Sequence, residues 1–225
     1  MDVFIGSLRK CILMNNFTEN NIKDLLSKIN YIVKNYEKDE VIAIEDSHCA
    51  KIGILLDGNV EVQKIYASGK NITISKLNIG NIFGEVIIFS NKNKYPATII
   101  SSNNSKILFI SKENILKLCS ISPIFLNNFM ALLSNKILML NKKVKSMSYQ
   151  TLRQKICFYI IEQYKFQNNS TIKLNMTKKE IAEQLGVPRP SLSRELINMK
   201  NENLIEMNKN TITIKDIDYM YELLD

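Results

Sequence analysis

Only four of the thirty basic residues are arginines (Arg9, Arg153, Arg189 and Arg194), and two of these stand five residues apart near the C-terminus. A guanidinium presents two parallel N–H donors in one plane. That fork matches guanine O6 and N7 in the major groove of DNA, where lysine brings only a point charge. Ser191 and Ser193 lie between the two arginines and can add shorter hydroxyl contacts, and Pro190 follows the first arginine directly. Such side chains read a base edge only when a rigid element carries them into the groove. Met176–Met199 reads MTKKEIAEQLGVPRPSLSRELINM. Thr177 is the expected N-cap of a first helix, and Glu180 three residues on completes a capping box. Ile181, Leu185, Leu192 and Leu196 fall at helical spacing and form the small core between two helices. Ala182 stands where the helices come closest. Gly186 ends the first helix, where a positive φ lets the chain reverse, and Pro188 and Pro190 fall around the first turn of the second, where a missing N–H costs little. The pattern is helix, a turn of three or four residues, helix, with Arg189, Ser191, Ser193 and Arg194 on the outer side and Thr177 and Lys178 opening the first helix. It predicts a helix-turn-helix that binds double-stranded DNA. A helical hairpin with merely solvated charges is the alternative, and it leaves the register of cap, small residue, glycine and arginines without a reason.

At 225 residues the chain holds one large domain or two of ordinary size, and 45% hydrophobic residues suit a folded protein. The net charge of +8 suits a polyanionic partner without proving one. Residues 1–120 carry 15 basic and 12 acidic groups and residues 121–225 carry 15 and 10, a small bias toward the C-terminal half. The abundance of Lys, Asn and Ile resembles the bias of an AT-rich genome, so lysine number alone is discounted. The N-terminus lacks a cationic start followed by an apolar core, so no signal peptide is expected. No uninterrupted apolar run approaches the roughly 18–20 residues of a bilayer span. A cytoplasmic protein with no membrane partner is expected. Cys11, Cys49, Cys119 and Cys157 are scattered without a C-x-x-C pair, which disfavours zinc and an iron–sulfur cluster. Reduced, mostly buried thiols are expected. The single histidine, His48, stands in a polar turn at Glu45–Lys51; it excludes a multi-histidine metal centre and disfavours haem. A cupin-type enzyme needs two or three histidines with a carboxylate, and neither a nucleophile–base pair nor a phosphate-cradling glycine loop is present. No enzymatic activity is expected.

The periodicities then place the elements. Residues 15–30 read as a short amphipathic helix. From Tyr31 to Ser111 short Ile/Val-rich runs alternate with turn signals, among them Asp57-Gly58, Ser68-Gly69 and Gly80-Asn81, and Asp-Gly between alternating strands is a strong hairpin mark. An antiparallel barrel or sandwich follows. Helical spacing returns after Ser111. Leu126, Met130, Leu133, Ile137, Leu140, Val144 and Met147 alternate in steps of four and three, with Lys136, Lys142, Lys143 and Lys145 off the seam. So narrow a stripe suits a two-stranded coiled coil and predicts a homodimer; a bundle helix within one subunit is the other reading. Phe129, Leu132 and Leu138 are expected to pack on the barrel. A helix at about 150–166 and a short strand (Thr171–Leu174) precede the helix-turn-helix. Leu204–Met207 and Thr211–Lys215 flank Asn208–Asn210 as a hairpin wing. The fold class is α+β, with three parts: residues 1–121 an antiparallel β-roll of cupin-like jelly-roll kind, 122–147 a dimerisation helix, and 148–225 a winged helix-turn-helix.

A β-roll, a long helix and a winged helix in this order resemble the Crp/Fnr family of bacterial transcription regulators, along nearly the whole chain. The marks that carry the resemblance are Phe83-Gly84-Glu85 after the Gly80 turn, and Glu180-Ile181-Ala182 with Gly186-Val187-Pro188-Arg189-Pro190-Ser191-Leu192-Ser193-Arg194. The resemblance implies a dimer on partly palindromic DNA, a signal sensed in the roll and relayed through the dimer helix, and contact with RNA polymerase. It also implies an effector pocket at Phe83, Gly84, Glu85, Lys94, Tyr95, Pro96 and Ala97. In the family's cyclic-nucleotide binders the glutamate receives a ribose hydroxyl, and an arginine in the following Arg-Ser/Thr-Ala holds the cyclic phosphate. Here Tyr95 falls on that arginine position. A phenol cannot pair bidentately with a phosphate, Pro96 removes an N–H, and Lys94 substitutes in part as a point charge. Losing a partly buried charge-assisted pair costs on the order of 2–3 kcal/mol or more. Cyclic AMP is therefore not the expected ligand; another small effector, or none with Glu85 merely holding its turn, remains. Pro190 stands where the family often carries a base-reading polar residue, so a different operator is expected.

Overall fold

The computed structural model describes residues 4–66 and 68–224. Two compact units, Met1–Lys136 and Ile137–Asp225, divide the chain.

The first unit opens with α1 (Ile5–Leu8), a 3-10 turn at Ile12–Met14 and α2 (Glu19–Ser27). The Thr18 hydroxyl caps α2 by accepting the Asn21 N–H at 3.3 Å, and Ile22, Leu25 and Leu26 turn their shared face inward. Eight strands follow: β1 (Tyr31–Tyr36), β2 (Val41–Ala43), β3 (Lys51–Asp57), β4 (Val60–Ile65), β5 (Asn71–Leu77), β6 (Ile82–Phe83), β7 (Thr98–Ser101) and β8 (Ser105–Ser111). They form two antiparallel four-stranded sheets in the orders β1-β8-β3-β6 and β2-β7-β4-β5, the two faces of a β-roll. Asp57-Gly58 joins β3 to β4, with Gly58 at φ 81°, as the hairpin signal requires. Ile52, Ile54, Leu108 and Ile110 are fully buried, and the opposed registers Ile52↔Ile110 and Ile54↔Leu108 stack them in one core. Among the described residues β5 pairs only with β4 and stands at a sheet edge, with Ile72 and Ile74 exposed.

α3 (Lys112–Ile121), capped by Ser111, and α4 (Pro123–Ser148) come next, and the boundary between the units falls within α4. Phe125, Phe129 and Leu132 of α4 are buried in the core of the roll unit. Asn128 is buried beside them and donates to the Leu13 and Asn15 carbonyls at 3.0 and 2.7 Å. The seam positions Leu126, Met130, Ile137, Leu140, Val144 and Met147 are exposed, and Leu133 is half-buried.

Two expectations need correction. Leu138 does not pack behind the helix but is 59% exposed. It stands about 9 Å further along the axis than Leu132, past the last helix residue of the roll unit. And α4 is, by length and composition, long and apolar enough to cross a membrane. Its seam and its roll-facing side are both apolar, so their sum over a window is high although polar residues interrupt every run.

The second unit comprises the end of α4, α5 (Leu152–Gln167), β9 (Thr171–Lys173), α6 (Lys178–Leu185), α7 (Arg189–Asn201), β10 (Ile205–Asn208), β11 (Thr211–Ile214) and α8 (Ile217–Glu222). β10 and β11 form the wing hairpin and β9 extends it, in the order β10-β11-β9. Ile160, Ile172, Leu192, Met199 and Met220 are among its fully buried residues. The architecture is a β-roll, a long helix and a winged helix-turn-helix.

Candidate nucleic-acid interface and β-roll site

The helix-turn-helix is built locally. The Thr177 hydroxyl accepts the Glu180 N–H at 3.3 Å, while the Thr177 N–H and hydroxyl donate to Glu180 Oε2 at 2.7 and 2.8 Å. These bonds hold the Glu180 carboxyl below the usual range. Gly186 takes φ 66°, and the Val187 N–H closes on the Ala182 carbonyl at 3.0 Å, so the chain reverses within three residues. Pro188 sits at the N-cap of α7 and Pro190 in its first turn. Ile181, Ala182, Leu185, Leu192 and Leu196 are buried in one cluster.

This anchoring leaves Arg189 and Arg194 exposed, Pro190 exposed with them, and Ser191 and Ser193 half-buried. Thr177 is exposed and Lys178 half-buried at the start of α6. Arg9 pairs with Glu19 at 3.4 Å and Arg153 is fully engaged, whereas Arg189 and Arg194 make no hydrogen bond or ion pair among the described residues. Two guanidinium forks are thus left free, both on α7.

Arg153 on α5 was not singled out by its sequence position. Its Nε donates to Glu195 at 2.6 Å, and its two terminal nitrogens donate to both oxygens of Glu202 at 2.6 and 2.7 Å. Glu195 and Glu202 lie near the middle and at the C-terminal end of α7, so one guanidinium fixes that helix against α5. The pairing raises the Arg153 pKa and lowers that of Glu202.

In the roll, the turn after β6 places Gly84 at φ 85° and directs Glu85 inward, 3% exposed. The Phe83 ring lies on Gly53, where a Cβ would meet it at 2.1 Å, and packs edge-on against Phe109 at 6.0 Å. Tyr95 is buried, and so is the Cys49 thiol, which donates to the Gly84 carbonyl at 3.8 Å. Burial, first of all, pushes the Tyr95 and Cys49 pKa values up. Phe83, Gly84, Glu85, Tyr95 and Ala97 are therefore all buried. Lys94 and Pro96 are exposed, and Lys94 makes an isolated backbone bridge with His48. The cation beside Glu85 is instead Lys136 of α4, whose Nζ pairs with Glu85 Oε1. Nothing in the spacing of the chain marked it. Cys11, Cys49 and Cys157 are buried free thiols and Cys119 is half-buried. Among the described residues no cluster of three His, Cys, Asp or Glu can hold a metal.

Residues 33–122 match the cyclic nucleotide-binding domain family, and residues 154–223 match the Crp-like helix-turn-helix domain family. The Global nitrogen regulator of Nostoc sp. is 21% identical over 189 residues, covering 81% of this chain and 85% of its own length. The cAMP-activated global transcriptional regulator CRP of Pasteurella multocida is 23% identical over 164 residues, covering 71% and 78%. Among solved structures, the Thermus thermophilus Catabolite Activator Protein has 17% identity and a TM-score of 0.55, covering 95% of this chain and 98% of that one. A CooA mutant from Carboxydothermus hydrogenoformans has 18% identity and a TM-score of 0.56, covering 94% and 92%. These likenesses show the shared fold.

Proposed function

Since the chain belongs to the Crp/Fnr family of transcription regulators, we propose that it binds partly palindromic DNA as a homodimer, with one α7 in each of two successive major grooves. The observation that carries this reading is the pair of uncommitted guanidiniums, Arg189 and Arg194, on a recognition helix whose other faces are buried or clamped. Ser191, Ser193 and Pro190 stand beside them in the reading face, and Thr177 and Lys178 approach the phosphates at the start of α6. Dimerisation runs along Leu126, Met130, Leu133, Ile137, Leu140, Val144 and Met147, an apolar seam whose exposure in the single chain supports burial against a second copy. In this reading residues 1–121 are the sensing part, 122–147 the pairing helix and 148–225 the DNA-binding part. The protein works in the cytoplasm and touches RNA polymerase.

The roll does not use cyclic AMP as its ligand. Tyr95 in place of an arginine leaves a cyclic phosphate without its bidentate partner, and Lys94 is turned out to solvent. Phe83, Gly84, Glu85, Tyr95, Pro96 and Ala97 line whatever effector site the roll retains. A second reading, DNA binding with no effector at all, is favoured by one observation: Glu85 is already paired with Lys136.

Selection of bound duplexes from a random library tests the reading. Half-sites centred about 34 Å apart are expected, together with a dimer in sedimentation. A stable single chain at micromolar concentration that ignores duplex DNA in dilute salt refutes it. Titration with cyclic AMP by calorimetry should give no heat; micromolar binding that tightens operator affinity overturns the ligand assignment.

A further inference from the structure

Among the described residues Glu85, in the turn after β6, is the one charged side chain that is buried, and a buried carboxylate needs a partner. That turn is tightly held, with the Ile87 and Ile88 N–H groups both donating to the Gly84 carbonyl at 3.1 and 2.9 Å, so the carboxylate has little room to escape to water. The partner comes from neither sheet. Lys136 Nζ reaches it from α4, with a side chain 36% exposed against 3% for Glu85. Lys136 directly precedes Ile137 of the apolar seam, and it is the last residue of the roll unit. It therefore stands at the place where a change in the roll is handed to the helix that pairs two subunits. Where the family resemblance puts a ligand's hydrogen-bond donor, this chain has an ammonium of its own.

We propose that Lys136 is a built-in ligand for Glu85, and that this ion pair holds α4 in the DNA-binding arrangement without any small molecule. The proposal rests on the dimeric DNA-binding reading and adds to it that the signal from roll to helix is intramolecular. Breaking the pair leaves a buried carboxylate uncompensated, so the turn and the helix segment beside it must both move. Restoring opposite charges in either order restores the contact.

The test uses the full chain and the operator obtained by selection. Wild-type protein is refolded from denaturant with no small molecule and titrated with operator by fluorescence anisotropy, beside K136M, E85Q and the exchanged pair E85K/K136E. Melting curves and sedimentation show which variants are folded dimers at the assay temperature. Refolded wild type should bind as tightly as freshly purified protein, within twofold. K136M and E85Q should bind at least tenfold more weakly while still folded and dimeric, and the exchanged pair should recover most of that loss. A packing role alone would lower the melting temperature without changing the operator affinity of the folded dimer. The proposal is overturned if folded K136M binds like wild type, if the exchanged pair is a folded dimer that fails to bind, or if refolded wild type regains affinity only when cell extract or cyclic AMP is returned. Should wild type itself not dimerise or not bind any duplex, it is the underlying functional reading that fails.

Discussion

Replacing Arg194 with alanine isolates the DNA term from the folding term, because its guanidinium has no partner to lose among the described residues. A surface substitution of this kind changes stability by about 0.5 kcal/mol or less, so the melting temperature should hold within about 4 °C. The loss on DNA is far larger. A bidentate arginine–guanine contact is worth about 1–3 kcal/mol of discrimination per site, or about 5- to 150-fold. A symmetric dimer loses it in both half-sites, about 2–6 kcal/mol in all, which is about 30-fold at the least. Anisotropy titration of the operator and of a scrambled duplex, each at several salt concentrations, separates the possibilities. If Arg194 reads a base, operator affinity falls, scrambled affinity holds and the salt slope is unchanged. If it contacts only phosphate, both duplexes lose equally and the slope of log K on log salt falls by about 0.9 per lost contact. A variant whose operator affinity matches wild type, or one that melts many degrees lower with unchanged affinity, refutes the assignment of Arg194 to the reading face.

Three further outcomes are expected. Arg153→Ala leaves the partly buried Glu195 without its cation, which should destabilise the DNA-binding unit by about 1–2 kcal/mol, read as a melting temperature several degrees lower by circular dichroism; an unchanged melt would mean the clamp contributes nothing. Glu180, Glu202 and Glu206 all titrate below the usual carboxylate range, held there by Thr177, Arg153 and Lys215 respectively. Their stabilisation is therefore complete above the ordinary glutamate value and is lost as pH falls through their lowered ones, so the melting temperature should be level near neutrality and drop in acid; a rise in stability below pH ~4 contradicts the sign of these shifts. Val144→Lys places a charge near the C-terminal end of the exposed seam and should convert the proposed dimer to single chains at micromolar concentration by sedimentation, while an undisturbed dimer would move the interface elsewhere.

The helix-turn-helix was readable because everything that makes it lies within 25 residues: a capping box at Thr177 and Glu180, a left-handed glycine, two prolines and an apolar spacing. The Asp57-Gly58 hairpin was readable for the same reason. What escaped is long-range. Lys136 and Glu85 are 51 residues apart, Arg153 lies 42 and 49 residues from its partners, and Asn128 reaches carbonyls 113 and 115 residues back. Each of these is a polar side chain whose partner exists only once the fold has formed, and no local pattern encodes it. The same limit explains Leu138, whose type suited the roll-facing side while its position along the axis did not. At the effector motif the sequence pattern located Glu85 and Tyr95 but assigned the neighbouring positive charge to Lys94, which is exposed, instead of to the helix.

The open margin of β5 bears on how the protein behaves at high concentration. A strand joined on one side only offers a row of unused amide groups to any passing chain, and Ile72 and Ile74 make that row sticky. Lys70 flanks the strand and Lys76 lies within it, tied across to Glu61 at 3.0 Å. These charges resist stacking of one roll on the next, so self-association is steered away from the sheet, and neutralising them should turn a well-behaved solution into one that forms sheet-rich aggregates.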